Sequence, residues 1–453
     1  MATIRIPSDL WARTCAHLYT QHSEHFGFYL AGWTLSNGAP VFMVKDVVLI
    51  PDAMVEVSKT GWTLSTESLT AAINAAIKAD CALIEIHNHG GAMPRFSQTD
   101  RTGFQDFVPY VLDSLRGRPY AATVWGDSTM YAEYFMPDGR TGVIQSVVIY
   151  GEKLDQWVSR DDDKANAEQR FDRQLPWFSE AGQRKLGRLK FGFIGLGGTG
   201  SPLAQNLVYL GARDFVFVDG DCSDETSMNR LITATAADVD TAKVVLARRL
   251  VKAVAPETAV RAIQKELQSS EVLDVLKGVD VLLGCIDNDG ARAVLNEIAV
   301  AYNIPYFDLG VGIDAEKGRV GSAGGRLAVV LPGGPCLNCM GQIDPVEARY
   351  WLATEEQREF MRGQGYVRGM DIRAPSVVAP NAAVAAAAAS EIAVYVSGLR
   401  PVSSLTEIDL LGVGRLLKSQ WMTPIRTDKK QGCPICEMSG IGDRAEIERR
   451  YCR

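Results

Sequence analysis

The stretch Phe191-Gly192-Phe193-Ile194-Gly195-Leu196-Gly197-Gly198-Thr199-Gly200 decides the fold of the larger part of this chain. A short apolar run that reads as a buried strand passes directly into Gly195, Gly197 and Gly200, spaced G-x-G-x-x-G, and a helix is expected to follow. Glycines at this spacing permit a tight turn and let a phosphate approach the backbone. The N-terminus of the helix behind them favours anionic oxygens. Alone, the motif is a weak signal, and a dinucleotide-dependent dehydrogenase is its default reading.

The residues downstream change that reading. A second strand, Phe215 to Val218, ends at Asp219-Gly220-Asp221, where an acid suits a ribose hydroxyl. Arg230 and Lys243 come next. A third strand, Val279 to Leu283, ends in Gly284-Cys285-Ile286-Asp287-Asn288. Two cations aimed at a phosphate chain, with an acid able to hold magnesium, describe a nucleoside triphosphate site better than a hydride-transfer site. Taken one at a time, each of these residues also fits an ordinary surface salt bridge.

From about residue 168 to 440 this arrangement resembles the ThiF/MoeB superfamily of ubiquitin-activating enzymes, which adenylate the C-terminal glycine of a ubiquitin-like protein. The entry segment Arg170-Phe171-Asp172-Arg173-Gln174 stands where the family has R-Y-x-R-Q. The resemblance implies a Rossmann-like doubly wound domain that uses ATP and Mg2+. It implies that Asp219 and Asp221 lie at the nucleotide, that Asp287 holds magnesium, and that Arg230 and Lys243 face the phosphates. It also implies that Arg173 reaches the phosphates of a partner subunit, hence a homodimer through this domain. Two departures stand out. Many members carry a thioester-forming cysteine before the helix that corresponds to Ser376–Pro380, and here Gly369-Met370-Asp371-Ile372-Arg373-Ala374-Pro375 has none. Ser227 stands where the family has asparagine.

Four of the nine cysteines form Cys336-Leu337-Asn338-Cys339 and Cys433-Pro434-Ile435-Cys436. Two such knuckles make a closed, four-thiolate structural Zn2+ site, which the family also carries. A redox dithiol pair is the competing reading, and it needs a thioredoxin-like setting. Of the remaining cysteines, Cys15, Cys81 and Cys285 read as buried and inert. Cys222 follows the ribose acid, and Cys452 falls in a charged tail.

The N-terminal part carries a second constellation: Glu85-Ile86-His87-Asn88-His89, a loop from Gly90 to Phe96, then Ser97-Gln98-Thr99-Asp100. Cys81 to Ile86 reads as a buried strand, so His87 and His89 point to one face. A glycine-bearing turn returns Asp100 to it. Two imidazoles and one carboxylate make an open zinc site with water in the fourth position, which is hydrolase geometry. A pair of surface histidines near a turn is the bland alternative.

H-x-H followed by S-x-x-D resembles the JAMM (JAB or MPN) metalloproteases, which cleave after the terminal glycine of ubiquitin-like proteins. That resemblance implies an α/β/α domain with a catalytic Zn2+ on His87, His89 and Asp100. Glu24, in Glu24-His25-Phe26-Gly27, would be the general base, and Ser97 would help to stabilise the oxyanion.

Length and composition bound the rest. A chain of 453 residues with 47% hydrophobic content exceeds a single core, so two or three domains are expected. The expected division is residues 1–150, a linker over 151–168 containing the charged run Arg160–Asn166, and residues 169–453. A net charge of −7 without a basic block argues against nucleic acid. Val377 to Val396 is long and apolar but contains Pro380, Asn381 and Glu391, so a packed core helix is expected rather than a membrane span. No run at the N-terminus has the character of a signal peptide, and the cysteine usage fits a reducing, cytoplasmic setting.

These elements together read as a bifunctional enzyme acting on one ubiquitin-like protein with a C-terminal glycine: a zinc (iso)peptidase fused to an adenylating enzyme, with a conjugating enzyme as a further partner. Two alternatives stand beside it. In one, the partner is a sulfur carrier whose adenylate becomes a thiocarboxylate for cofactor or siderophore biosynthesis. In the other, the chain is a scaffold that only binds the modifier.

Overall fold

The computed structural model describes residues 1–20, 24–58, 61–89, 94–127, 129–158, 169–316, 319–363, 375–411 and 422–452. The charged run Arg160–Asn166, the turn Gly90–Met93 and the cysteine-free stretch Gly369–Ala374 lie outside the described residues. Contacts divide the chain into two units. The first comprises Met1–Asn166 with Ser439–Ala445, and the second Ala167–Met438 with Glu446–Arg453.

The first unit has strands β1 (Thr3–Pro7), β2 (Phe26–Ser36), β3 (Ala39–Leu49), β4 (Val55–Ser58), β5 (Gly61–Leu64), β6 (Ala82–Asn88), β7 (Tyr120–Trp125), β8 (Met130–Phe135), β9 (Thr141–Val143), β10 (Ser146–Tyr150) and β11 (Leu154–Val158). Nine of them form one mixed sheet in the order β11-β10-β1-β3-β2-β6-β7-β8-β9, and β4 pairs with β5 apart from it. The central strands β6 and β7 are buried at every position, covered on both faces, although β6 carries Glu85, His87 and Asn88 among its apolar residues. One face packs Leu69, Ala72, Ile73 and Ala76 of the helix Thr66–Ala79 and Val108 and Val111 of the helix Gln98–Ser114. The other packs Leu10 and Leu18 of the helix Ser8–Leu18. There Trp11 lies 4.5 Å from Trp125 and 5.4 Å from Trp157, centroid to centroid. Periodicity from Leu64 predicts helix, yet Leu64 ends β5 and Ser65 caps the helix, its hydroxyl accepting the Ser68 amide. The local cap overrides the apolar pattern.

The second unit contains β12 (Lys190–Ile194), β13 (Asp214–Val218), β14 (Ala259–Ile263), β15 (Val281–Gly284), β16 (Tyr306–Glu316), β17 (Arg319–Val330), β18 (Leu405–Asp409) and β19 (Met422–Ile425). They form a sheet in the order β14-β13-β12-β15-β16-β17-β18-β19. Pairing is parallel from β14 to β16 and antiparallel beyond. The order reverses on either side of β12, which places a crevice at the carboxyl ends of β12 and β15. The helix Val378–Ser397 is long and apolar enough to cross a membrane, but it packs on the helix Gly200–Leu210 and on β16 and β17. Its buried Glu391 accepts two hydrogen bonds from Arg400, at 2.9 and 2.6 Å, and one from the Ser403 amide at 2.9 Å. A carboxylate satisfied in this way is stable inside a protein core.

The expected division assigns all of 169–453 to the second domain, whereas Ser439–Ala445 packs with the first unit. There the Thr34 hydroxyl donates to Asp443 at 2.7 Å, and Arg444 donates to the Ala79 carbonyl at 3.0 Å. A seven-residue insertion of this kind leaves no periodic or compositional mark. Replacing Thr34 by Val keeps the volume and removes the donor, so the strap should loosen by about 1 kcal/mol. The expected outcome is faster proteolytic nicking between residues 438 and 446, with little change in the thermal midpoint of the second unit.

Candidate functional site

Residues from the ends of β12, β13 and β15 line a cavity of about 1510 Å³ in the second unit. The loop after β12 forms its floor. Gly195 has φ +88°, and a Cβ there would collide with the Cys285 carbonyl oxygen, so only glycine fits. Its amide donates to the Val218 carbonyl at 3.0 Å. Asp219 ties the loop down from β13. One carboxylate oxygen accepts the Leu196 amide at 2.7 Å and the other accepts the Asp221 amide at 2.9 Å. Each oxygen keeps a lone pair for a further donor such as a ribose hydroxyl. Burial raises the Asp219 carboxyl above its ordinary value, against the pull of Lys243.

The structure brings Arg230, Lys243 and Asp287 to the same cavity with Gly195, Gly197, Asp219 and Asp221. The two cations are held by their neighbours. Lys243 Nζ is 2.6 Å from Asp221 Oδ2, and Arg230 donates to the Thr226 carbonyl at 2.6 Å and to Asn229 at 3.1 Å. Arg173 behaves differently: it is exposed in the turn Gln169–Gln174 and does not line the cavity of its own chain. Gly200 opens the helix behind the loop, where a Cβ would meet the Gly195 carbonyl oxygen.

Several cavity residues escaped sequence reasoning. Arg292 donates to Asp289 at 2.7 Å and to the Ile286 carbonyl at 2.8 Å, and its Nε lies 3.5 Å from the fully buried Asp308. Asp308 also accepts from Tyr306 at 2.7 Å and pairs with Arg326. The place of Arg292 one turn after Asn288, which caps the helix Asp289–Ala301, was a readable signal. Lys265, Arg358, Asn381, Arg450 and Tyr451 also reach the cavity and gave no local signal.

Among the non-knuckle cysteines, Cys222 is exposed and lines the cavity, while Cys81 and Cys285 are buried. Burial pushes the Cys285 thiol far up. Cys15 is half-buried rather than fully buried, because its helix lies on the outer face of the sheet. Cys452 is not in a loose tail. It ends the helix Ile447–Tyr451, and burial raises its thiol.

The four knuckle cysteines converge. Sγ separations are 3.8 Å for Cys336–Cys339, 3.7 Å for Cys336–Cys433 and 3.6 Å for Cys339–Cys436. A tetrahedron with metal–sulfur arms of about 2.3 Å has edges of about 3.8 Å, so the donor set fits zinc. The Lys430 amide donates to Cys339 Sγ at 3.3 Å, an outer-shell contact of the kind that holds a thiolate.

In the first unit, ligand atoms of His87, His89 and Asp100 lie within 4.8 Å of one another. His89 Nδ1 is 3.1 Å from the Arg95 carbonyl oxygen, which leaves Nε2 for the cluster. That Nε2 is 3.5 Å from Glu24 and 3.8 Å from Asp100. His87 is buried, its Nδ1 sits 3.3 Å from Glu85, and its Nε2 has no hydrogen-bond partner among the described residues. An orphaned buried imidazole nitrogen beside a second imidazole and a carboxylate is what a metal would satisfy. Ser97 caps the helix Gln98–Ser114. Its hydroxyl accepts the Asp100 amide at 3.1 Å while the Asp100 carboxylate accepts the Ser97 amide at 2.6 Å. The S-x-x-D pattern is therefore also a capping box, which aims the carboxylate.

A partly parallel doubly wound sheet with a glycine loop at its switch point and an acid ending the next strand defines a nucleotide-binding α/β unit. The ThiF family profile matches residues 171–434, more than half of the chain, and the chain belongs to the ThiF family. The match leaves residues 1–170 outside it. Relatives include the SAMP-activating enzyme E1 of Haloferax volcanii, 28% identical over 35% of this chain and 56% of that protein. The sulfur carrier protein ThiS adenylyltransferase of Escherichia coli is 28% identical over 56% of this chain and 88% of its own length. The adenylyltransferase and sulfurtransferase UBA4 of Yarrowia lipolytica is 31% identical over 39% of this chain and 43% of that protein. The chain thus spans about half the length of several curated relatives it matches. A crystal structure of E. coli MccB with MccA-N7isoASN aligns over 60% of this chain and 76% of that one, with a TM-score of 0.47 and 17% identity.

A nucleotide held by Asp219 should show the raised carboxyl directly. The acceptor is charged only above its own pKa, which burial lifts above the ordinary value near 3.9. Affinity should therefore fall as the pH drops, and should begin to fall at a higher pH than an ordinary aspartate would give. Calorimetric titration of ATP across the acid range measures it, and Asp219→Asn should bind weakly and lose the part of the fall that exceeds the titration of ATP itself.

Proposed function

We propose that the second unit uses ATP to adenylate the C-terminal carboxylate of a small ubiquitin-like carrier protein. Membership of the ThiF family, with Asp219, Arg230, Lys243 and Asp287 on one cavity, is the observation that carries this reading. The carboxylate oxygen attacks the α-phosphorus of ATP, the bond to the β-phosphate breaks, and pyrophosphate leaves. In this reading the loop Gly195–Gly200 cradles the phosphates, and Asp219 accepts from the ribose. Lys243 trades its pairing with Asp221 for the triphosphate, and Arg230 turns from the Thr226 carbonyl to the same oxygens. Asp287 supplies the hard oxygen donor that Mg2+ prefers, and the ion would offset triphosphate charge. Arg173, exposed and away from its own cavity, serves the site of a second copy in a homodimer.

A sulfur carrier is the better-supported partner. The E. coli relative is named for one, and the Y. lipolytica relative is named as a sulfurtransferase as well. Cys222 is the exposed cysteine at the cavity, but adenylation does not require it. A modifier passed on to a conjugating enzyme is the competing outcome. Detection of a thiocarboxylate mass on the carrier, rather than a protein conjugate, separates the two.

For the first unit we propose a JAMM-type metallopeptidase acting on the same carrier tail; the expected boundary at residue 150, with a linker over 151–168, falls too early, because Leu154–Val158 pairs with Ser146–Tyr150 as the edge strand of the first sheet, and most of 169–453 is the adenylating domain. His87 Nε2, His89 Nε2 and the Asp100 carboxylate would hold Zn2+, which supplies a Lewis acid and a water of lowered pKa. Glu24 takes the proton from the attacking water and returns it to the leaving amine. Ser97 keeps its hydroxyl hydrogen for the oxyanion, because its oxygen accepts rather than donates in the cap. The buried orphan Nε2 of His87 supports this reading.

ATP–pyrophosphate exchange should depend on the carrier's terminal carboxylate and fall on the order of 10²-fold or more in Asp287→Ala. Glu24→Ala should abolish cleavage of a carrier extended past its terminus and leave exchange intact. Exchange that persists without the carrier's carboxylate would count against adenylation. Arg173→Ala mixed with Asp287→Ala should regain part of the lost exchange, because one site of the mixed dimer then has both groups.

Elemental analysis should return two zinc ions per chain. Cys336→Ser should lose one of them and lower the thermal midpoint of the second unit, because structural zinc contributes folding energy.

A further inference from the structure

The short helix Ile447–Tyr451 lies beyond the ThiF match and yet borders the nucleotide cavity. Two of its residues line the cavity, and both are fastened to one carboxylate. Glu297, on the helix Asp289–Ala301, has a side chain only 8% exposed. The Tyr451 hydroxyl donates to Glu297 Oε1 at 2.9 Å, and Arg450 lies 2.6 Å from Oε2. The Arg450 guanidinium carbon sits 5.0 Å from the centroid of the Tyr451 ring. Burial and the neighbouring Glu297 push the Tyr451 phenol up to about 12, so it stays a neutral donor across the physiological range.

The phenol hydrogen goes to Glu297, and the Arg450 guanidinium pairs with the same carboxylate. Arg450 and Tyr451 thus bring two planar π groups, held close to one another, to the cavity wall, and planar groups of this kind stack on a heteroaromatic ring. The phosphate-directed cations, Arg230 and Lys243, come from the segments after β13 instead.

We propose that Arg450 and Tyr451, locked by Glu297, form the wall of the cavity that receives the nucleobase of ATP. The proposal rests on the adenylation reading of the second unit and adds a base-binding element from outside the family's matched region. It makes Glu297 a positioning residue: the carboxylate touches no ligand but fixes the two side chains that do.

The test uses the full chain and two probes, ATP and inorganic tripolyphosphate, with binding measured by calorimetry. Tyr451→Leu and Arg450→Ala should each weaken ATP about tenfold, the loss of one stacking contact, and leave tripolyphosphate affinity unchanged. Tyr451→Phe keeps the ring and should hold ATP within a few-fold of wild type. Unchanged ATP affinity in a folded Arg450→Ala or Tyr451→Leu chain overturns the proposal and leaves the adenylation reading standing. Equal loss of both probes also overturns it, because the pair would then be a phosphate site. Should Tyr451→Leu fail to fold, Arg450→Ala decides, since that side chain is 38% exposed. A wild-type chain that binds tripolyphosphate but not ATP would overturn both readings together.

Discussion

The Asp219 carboxylate is the constraint on which the second unit depends. It accepts one amide from the glycine loop after β12 and one from its own strand end, so a single side chain holds two adjacent loops in register. Gly195 can turn through positive φ there only because nothing projects from it toward the Cys285 carbonyl. The path of the loop into the helix Gly200–Leu210 is fixed at that junction. Burial makes the carboxylate costly to ionise, and the two amides and Lys243 offset part of that cost. The same group is therefore both a structural clamp and an acceptor still open to a ligand.

Around that clamp the charges are arranged in satisfied pairs. Lys243 rests on Asp221, Arg292 on Asp289, and Asp308 on Arg326 and Tyr306. The buried pairs among them, at Arg292 and Asp308, contribute little net stability but are costly to break singly, whereas Asp221 is exposed. They keep the cavity walls rigid while the exposed members remain able to exchange partners. A polyanion entering the cavity would replace one acceptor by another, so the cations would lose less solvation than bare ones. The innermost groups, Arg292 and Asp308, meet at the start of the helix Asp289–Ala301.

The parts of the site that were legible in the sequence are those written in short spacings. G-x-G-x-x-G, H-x-H and the two C-x-x-C knuckles constrain residues that are neighbours in the chain, so their geometry follows from strand and turn periodicity. The acids ending β13 and β15 were legible for the same reason, being counted from strands. What was not legible depends on distant partners. Asp308 and Arg326 meet across a hairpin, Arg450 and Tyr451 meet Glu297 from 150 or so residues away, and Asp443 meets Thr34 across 409. The S-x-x-D motif carried a double meaning that spacing alone leaves open, since a helix cap and a metal-ligand carrier use the same four residues. Where Leu64 reads as helix and ends a strand, a serine cap one residue later decided the matter.

The strap Ser439–Ala445 bears on the order in which the molecule is made. Synthesis runs from the N-terminus, so the sheet of the first unit emerges and pairs long before residue 439 exists. Thr34 then lacks its Asp443 acceptor while residues 167–438 of the second unit are threaded out. Closing a loop of this length adds only a logarithmic entropy cost, so the delay is one of timing more than of energy. The first unit therefore passes through a nascent period with part of its β2 face uncovered, and reaches its final form only once the chain beyond the second knuckle is available. A truncation after the second knuckle would leave that face uncovered for good, and would also take Arg450 and Tyr451 from the cavity of the second unit.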